Sequence, residues 1–200
     1  MRHTKCVRHA MLTDVHLWID DIWLTLGVIW VIGAVLTKRA ARVQTTGSRL
    51  IQVALATGGF FLLLQPSMGI GPLGWRFLPA SSAASVTGLA LTICGAVLAV
   101  SARIFLGRNW SAVVTIKQDH EIIRRGPYAL VRHPMYSGFL LAMLGTALAI
   151  GEVRGLLAVG LAFLGWWLKL RTEEQFLMDQ FGAQYIEYRQ HTKALIPFVL

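Results

Sequence analysis

The chain has 200 residues, of which 55% are hydrophobic and only 14% are charged, and its mean hydropathy is +0.56. This composition excludes an ordinary soluble domain and is typical of a protein that crosses a membrane several times. A formal net charge of +9 would suggest nucleic acid as the partner of a soluble chain. Here the basic residues lie between apolar runs, which is the pattern of membrane topology, and no nucleic-acid partner is expected.

Five apolar runs are long enough, or nearly so, to cross a bilayer, which takes about 20 apolar residues. A short segment with a glycine and two charges separates the last two runs and predicts a tight helical hairpin. The sequence therefore predicts an all-α integral membrane protein with about five transmembrane helices. The runs cover 15–37, 50–64, 85–105, the stretch from just after Pro134 to Ile150, and 155–170.

The chain divides at the end of the third run. We expect 1–105 to form an N-terminal membrane region with three helices, and 106–200 to form a core with a two-helix hairpin and an amphipathic C-terminal helix.

The orientation of the chain in the membrane follows from the basic residues, which accumulate on the cytoplasmic side of membrane proteins. Five spans place 14 of the 19 basic residues on one face, so we expect the N-terminus outside and the C-terminus inside.

Two polar segments, 106–138 and 169–198, share the predicted cytoplasmic face. The aromatic spacing of the second predicts an amphipathic helix that leaves the fifth span and is re-aimed at Gly182. Charges this close to a bilayer are costly unless they face a cavity or a partner, so surface pairing and a functional role both remain open. Two opposite-charge pairs in this segment have helical spacing, Lys169 with Glu173 and Arg171 with Glu174.

The polar residues of the two segments suit one kind of ligand, a compact cationic and zwitterionic cofactor. Carboxylates can hold an ammonium group, aromatic faces attract a positive sulfonium, and Arg or His can hold a carboxylate. We expect no metal site, because no group of Cys, His and Asp has zinc or iron spacing, and there is no phosphate-binding loop or dinucleotide fingerprint. The residues concerned are His120, Tyr128, Arg132, His133, Tyr136, Glu173 and Glu174.

These residues belong to an ordered motif in the C-terminal half of the chain. A His lies six residues before Gly-x-Tyr, Arg-His-Pro-x-Tyr-x-Gly follows, and paired Glu residues precede Phe-Gly-x-x-Tyr-x-x-Tyr. In this sequence the elements are His120, Gly126 to Tyr128, Arg132 to Gly138, Glu173 with Glu174, and Phe181 to Tyr188. The motif strongly resembles that of the isoprenylcysteine carboxyl methyltransferase family, which is related to phospholipid N-methyltransferases and, more distantly, to membrane sterol reductases.

The resemblance implies S-adenosylmethionine as cofactor, bound in a cytoplasmic pocket between the loop before the fourth span and the C-terminal helix. It also implies a substrate-contacting arginine four residues before the acidic position, where this chain has Lys169 instead. Lys169, Arg171 and Arg132 are therefore the candidates for positioning the acceptor. By matching positions, the cofactor-binding residues are His120, Ile123, Gly126, Tyr128, His133, Pro134, Met135, Tyr136, Glu173 and Glu174.

The implied function is methyl transfer to a lipophilic or small-molecule acceptor at the cytoplasmic face of the lipid bilayer. Methylation of an amine or a thiol, for example in a phospholipid head group, is an alternative enzymatic function. A non-catalytic transporter or scaffold is a second alternative, although the spans carry almost no ionisable residue at mid-depth. A nicotinamide-dependent reductase of the related sterol family is a third, and the small size of the chain counts against it.

Overall fold

A computed structural model describes residues 2–35, 42–43, 46–107, 115–116 and 122–199, with side chains over 14–34, 47–107 and 122–199. Six α-helices account for most of the described chain. Two strands of two residues each, β1 (Arg42–Val43) and β2 (Thr115–Ile116), pair antiparallel. The helices are α1 (Arg2–Val35), α2 (Thr46–Leu64), α3 (Ser82–Leu106), α4 (Pro134–Ile150), α5 (Val153–Phe181) and α6 (Ala183–His191).

Among the described residues, four helices are long and apolar enough to cross a membrane, namely Asp14–Ala34 within α1, Gly47–Leu64 within α2, all of α3 and all of α5. The fifth apolar helix, α4, is shorter, with 17 residues. The prediction of an all-α integral membrane protein with about five transmembrane helices is thus confirmed. The predicted bounds agree to within about one helical turn, with two exceptions. Helix α1 already begins at Arg2, well before the predicted start at residue 15, and α5 continues without a break beyond residue 170.

The helices form a bundle with two distinct ends. Gly151, between α4 and α5, marks one end, which we call the hairpin end. The other end holds the last turn of α3 and the first turn of α4, and we call it the site end. Gly33 near the end of α1 lies against Arg103 of α3, so α1 also finishes at the site end.

Helices α3 and α4 approach each other unusually closely because glycines face both sides of their contact. A side-chain carbon at Gly145 would lie 2.5 Å from both the Gly88 carbonyl oxygen and the Thr92 nitrogen, and one at Gly138 would lie 2.5 Å from the Ala99 nitrogen. Such small-residue contacts are the usual means of close helix packing within bilayers, where the hydrophobic effect no longer drives association. This packing fixes α4, whose first turn carries predicted site residues.

Polar contacts inside the bundle join α1 and α3 to α4. The Trp23 indole nitrogen donates a hydrogen bond to the Thr146 hydroxyl at 3.0 Å, and the hydroxyl oxygens of Thr146 and Thr92 are 3.3 Å apart. Both threonines also donate to the Ala142 carbonyl oxygen. Because lipid offers no competing water, these buried bonds give the three helices a defined mutual position.

The predicted tight hairpin between α4 and α5 is present. Gly151 has φ +69°, a left-handed conformation that favours glycine and reverses the chain after α4. The buried Arg154 side chain pairs with Glu152 at 2.7 Å. Its Nη1 also donates to the carbonyl oxygens of Leu62, Leu63 and Gln65 at the end of α2, at 2.9–3.2 Å. These hydrogen bonds connect the hairpin to α2.

The chain returns to the first turn of α4 after α5 ends. Gly182 has φ +49° and redirects the chain into α6, as the sequence predicts. Beyond α6, the carbonyl oxygens of Lys193 and Ala194 accept hydrogen bonds from the backbone nitrogens of Arg132 and His133, at 2.8 and 3.0 Å. The C-terminal segment therefore lies directly beside the loop that precedes α4.

Candidate functional site

The first turn of α4 and the far part of α5 hold the centre of the candidate site. Pro134 is the first residue of α4, where its missing N–H would have no helical partner in any case. His133 immediately precedes it and is only 7% exposed. This geometry directs His133 and Tyr136 toward α5, where the adjacent carboxylates Glu173 and Glu174 lie.

His133 lies between the two carboxylates. Its Nδ1 is 3.5 Å from an oxygen of Glu173, and its Nε2 is 3.4 Å from an oxygen of Glu174. The two acids differ in access, since the side chain of Glu174 is 8% exposed and that of Glu173 is 21% exposed. Burial lowers the pKa of His133, but the interactions with the two carboxylates outweigh it, so the pKa lies above its ordinary value.

This raised pKa predicts a pH-dependent stability. A group whose folded-state pKa is raised stabilises the fold fully below the unfolded-state value, here about 6.5, and loses that contribution as pH rises through the folded-state pKa. Each unit of elevation contributes about 1.4 kcal/mol. We expect the thermal midpoint in detergent to fall as pH rises above about 6.5, and to fall less steeply in His133→Gln. Equal slopes in the two proteins would mean that folded His133 is not protonated.

Tyr136 connects this cluster to the aromatic core. Its hydroxyl donates to Glu173 at 2.7 Å, and its ring lies nearly parallel to those of His133 and Trp166, with centroids 5.7 and 5.9 Å away. The Lys169 ammonium lies 5.6 Å from the centroid of the Tyr136 ring. An electron-rich ring next to a carboxylate is a favourable environment for a cation.

Arg132 holds Glu174 rather than facing open space. Its Nε and Nη2 both lie 2.7 Å from the same oxygen of Glu174. Its Nη1 donates to the backbone carbonyl oxygens of Arg189 and Thr192, and Arg189 also approaches Glu174, at 3.7 Å. The guanidinium thereby joins α5, α6 and the C-terminal segment, and these contacts favour a structural role. A role for Arg132 in positioning the acceptor stays a prediction.

Two buried tyrosine hydroxyls next to this cluster have no hydrogen-bond partner among the described residues, those of Tyr128 and Tyr185. Burial raises the pKa of both phenols, so both remain donors at neutral pH. Carboxylate charge adds to the effect, from Glu173 at Tyr128 and chiefly from Glu174 at Tyr185. Tyr188, by contrast, donates to the Tyr128 carbonyl oxygen at 2.5 Å, and burial raises its pKa to about 12. Unpartnered buried donors are costly, which points to a ligand that would accept hydrogen bonds from these hydroxyls.

The predicted acceptor-positioning residues of α5 point in different directions. Lys169 lies over Tyr136, inside the cluster, whereas Arg171 is exposed and stacks over the Trp167 ring, 5.2 Å from its centroid. The pairing of Arg171 with Glu174 suggested by their spacing is not formed; Arg132 contacts one oxygen of Glu174 and Arg189 approaches the other. Lys169 is therefore better placed than Arg171 to meet a ligand in the cluster.

The remaining predicted cofactor residues lie along the approach to α4. Gly126 has φ +62° and opens a short helical turn that contains Tyr128; a side-chain carbon at Gly126 would lie 2.5 Å from the Phe105 ring, so this turn packs on the end of α3. Ile123 and Met135 are half-buried. His120 lies outside the described residues. Sequence reasoning assigned no role to Trp166, although it packs directly on Tyr136.

The residues present fit a zwitterionic cation better than a metal ion. Among the residues whose side chains are described, no group of three His, Cys, Asp or Glu could hold a metal. The cluster instead offers a partly exposed carboxylate, stacked aromatic rings and buried phenol donors without partners. These are complementary to an ammonium group, a sulfonium and polar acceptor atoms, respectively.

Comparison with known proteins identifies the family to which the chain belongs. The sequence model of the phospholipid methyltransferase family matches residues 83–184, about half of the chain, from the start of α3 into α6. The chain belongs to this family. The match includes His133, Tyr136 and both carboxylates of the cluster.

Individual relatives point to one branch of the family. The chain is 33% identical over 117 residues to protein-S-isoprenylcysteine O-methyltransferase B of Arabidopsis thaliana, which covers 56% of this chain and 58% of the relative. It is 33% identical to the Saccharomyces cerevisiae protein-S-isoprenylcysteine O-methyltransferase (60% and 52% covered) and 31% to that of Homo sapiens (62% and 45%). The chain thus spans about half the length of the curated relatives it matches. The family predicted from the motif is confirmed, and these relatives are all named as methyltransferases.

Proposed function

We propose that this protein is a membrane methyltransferase that uses S-adenosylmethionine and esterifies the carboxylate of a lipophilic acceptor. The observation that carries the proposal is the cluster of His133, Tyr136, Glu173 and Glu174, which lies at the end of two apolar helices within the family-matched region. The names of the relatives support an isoprenylcysteine-like acceptor.

The residues of the cluster suggest how the cofactor would be held. The Glu173 carboxylate, more exposed than that of Glu174, is the one suited to an ammonium group. The Tyr136 ring is suited to a positive sulfonium, and the Tyr128 and Tyr185 hydroxyls are donors for its polar atoms. When bound, S-adenosylmethionine supplies an electrophilic methyl group. Glu174 would not contact the cofactor. It is held by Arg132 and lies against His133, and so would keep His133 in position beside Glu173.

The protein's part in this reaction is mainly alignment and exclusion of water. Methyl transfer from a sulfonium is an in-line displacement, which gains most from proximity and orientation. A carboxylate acceptor is already ionised at neutral pH and needs no general base. A lipophilic tail would remain among the apolar helices while Lys169 attracts the acceptor's head group into the cluster.

An amine acceptor is the second candidate, because the matched family is described as phospholipid methyltransferase. An amine must lose a proton, and His133 is the buried base nearest to the carboxylates. The two carboxylates raise its pKa, however, which increases the fraction of the imidazole in the protonated form that cannot accept a further proton. A carboxylate acceptor has no such requirement, and the names of the relatives also favour it.

The proposed function is tested by binding and by the chemistry of the product. Calorimetry with S-adenosylmethionine on purified protein tests the cofactor. A labelled-methyl assay with an S-farnesylcysteine derivative and, separately, with phosphatidylethanolamine vesicles tests the acceptor. Mild alkali releases label from a methyl ester but not from a methylated amine. Absence of S-adenosylmethionine binding would refute the proposal, and alkali-stable label would favour the amine acceptor.

We further propose that the site end of the bundle faces the cytoplasm, because the predicted spans assign 14 of the 19 basic residues to that face. Ile70 belongs to the loop at the hairpin end and is exposed, whereas Lys193 lies at the site end and is also exposed. In a variant without its native cysteines, Ile70→Cys should react with an impermeant thiol reagent added to intact cells, and Lys193→Cys should react only after permeabilisation. The opposite pattern would reverse the orientation.

A further inference from the structure

We infer that residues 196–199, which we call the anchor segment, dock on the interfacial layer of the same bilayer that the helices cross. The family match ends at residue 184, so membership of the family assigns no role to this segment. The inference concerns the depth at which the site end lies in the membrane. It therefore does not depend on the proposed function.

The anchor segment is apolar and exposed although it lies outside the predicted spans. Its sequence is Ile-Pro-Phe-Val, and all four residues are exposed, with Phe198 at 91% and Val199 at 73%. The two residues before it, Ala194 and Leu195, are buried. The protein's own core thus uses only the first part of this apolar run. A contiguous exposed apolar surface of this kind marks contact with another molecule or with a membrane.

The contacts of Leu195 set the depth of the segment. Leu195 belongs to a buried cluster with Leu170, the last residue of the fifth predicted span, and Leu140 packs against this cluster. Leu140 lies nearly two turns inside α4. The Ser137 hydroxyl, in the first turns of α4, donates to the Leu195 carbonyl oxygen at 2.6 Å. Leu195 therefore lies at the level where α4 and α5 leave the bilayer.

The anchor segment remains close to that level. Its four residues form a turn in which the Val199 nitrogen donates to the Ile196 carbonyl oxygen at 3.1 Å. Because the turn is closed, Phe198 cannot extend far from Leu195, and its ring is presented outward. An apolar turn at the end of two membrane-crossing helices meets the bilayer interface before it meets bulk water.

Other side chains at this level of α5 are typical of a membrane interface. Trp167 also packs against the cluster of Leu195, and Arg171, one turn further along, stacks over its ring. Tryptophan is enriched at membrane interfaces, and arginine extends its charge from there toward the head groups. Toward the span, Phe163 stacks on Trp167 with centroids 5.9 Å apart. The apolar surface of α5 thus reaches the level of the anchor segment.

The charges around the segment favour a lipid surface over a second copy of the chain. Residues 188–199 contain no acidic residue, and the exposed Lys193 lies three residues before the anchor segment. Basic residues beside an apolar segment are complementary to the phosphates of lipid head groups. A symmetric contact between two copies would instead bring like charges together.

Docking of the segment would fix the depth of the carboxylate cluster. The Lys193 and Ala194 carbonyl oxygens accept hydrogen bonds from the backbone nitrogens of Arg132 and His133. A membrane contact at the anchor segment is therefore transmitted over a few residues to the loop that precedes α4.

The test measures where Val199 lies in the full-length protein, in nanodiscs of phosphatidylcholine and phosphatidylglycerol. In a variant without its native cysteines, Val199→Cys carries a nitrobenzoxadiazole fluorophore. Gln184→Cys is the matched control, because it is exposed in the first turn of α6, which starts about 16 Å beyond Leu170 along α5. Phe198→Asp, added to Val199→Cys, places a charge on the anchor segment. Phe198 is almost fully exposed, so this change should not disturb folding.

We expect spin-labelled lipids to quench the fluorophore at position 199 several-fold more than the one at position 184, and aqueous iodide to show the reverse order. Phe198→Asp should move the values at position 199 toward those at position 184. Equal quenching at the two positions would overturn the inference. A fluorophore at position 199 that neither lipid nor iodide quenches would overturn it as well, because protein would then cover the segment. Cofactor binding plays no part in these measurements, so failure of the proposed function would leave their result unchanged.

Discussion

Replacing Arg132 with alanine should destabilise the protein by about 3–5 kcal/mol, which is the cost of removing one partner from a buried ion pair. Both charged groups are 8% exposed, and the guanidinium contacts one oxygen of Glu174 through two of its nitrogens at 2.7 Å. The substitution also leaves the carbonyl oxygens of Arg189 and Thr192 without this donor. The thermal midpoint in detergent should fall accordingly, by about 2–4 °C per kcal/mol for a chain of this size.

Two further variants test whether the loss of stability comes from the buried ion pair. Arg171→Ala removes the same charge from an exposed position that stacks on Trp167, so its effect should stay within about 1 kcal/mol. Arg132→Lys keeps the charge but loses the planar geometry, and should fall between the two. If Arg132→Ala proved no more destabilising than Arg171→Ala while abolishing turnover, Arg132 would act on the acceptor instead of holding Glu174.

The membrane architecture could be predicted from the sequence because each span is a long, mostly apolar run that polar residues, proline or glycine end. Gln65 and Pro66 end α2, and Gly151 reverses the chain after α4. The start of α2 was placed a few residues too late, since its first turn contains Thr46, Gly47, Ser48 and Arg49, which hydropathy alone does not recognise as helix. Such polar first turns are common where a helix leaves the membrane interface.

The partners of the charged residues could not be predicted in the same way. Helical spacing indicates only which residues can meet along one helix, so it paired Glu174 with Arg171. The structure instead brings Arg132 from a loop 42 residues earlier in the chain. That approach depends on the glycine packing of α3 on α4 and on the return of the C-terminal segment, both of which are long-range features.

The different environments of the two carboxylates could not be predicted from the sequence either. Adjacent helical residues differ by about 100° in direction, so a small error in helix register exchanges their roles. The structure distinguishes them, because Tyr136 and partial exposure mark Glu173, whereas Arg132 and burial mark Glu174. Their substitutions should consequently have different effects.

Glu173→Gln should weaken S-adenosylmethionine binding about tenfold to a hundredfold, the range for one hydrogen bond to a charged group at about 1.4 kcal/mol per decade. The amide retains the shape of the side chain and an oxygen to which the Tyr136 hydroxyl can donate, so thermal stability should fall less than in Glu174→Gln. Glu174→Gln should show the reverse pattern. It leaves the buried Arg132 guanidinium without its counter-charge and should lower stability more than affinity.

Calorimetry and thermal unfolding of both variants, with Arg171→Ala as control, separate a ligand-binding carboxylate from a structural one. Affinity must be compared at one pH, because removing either carboxylate also takes away one of the groups that raise the pKa of His133. Normal cofactor binding by both Gln variants, together with reduced stability, would make the pair structural. An affinity loss confined to Glu173→Gln would instead identify Glu173 as the carboxylate that meets the ammonium group, with Glu174 and Arg132 as its support.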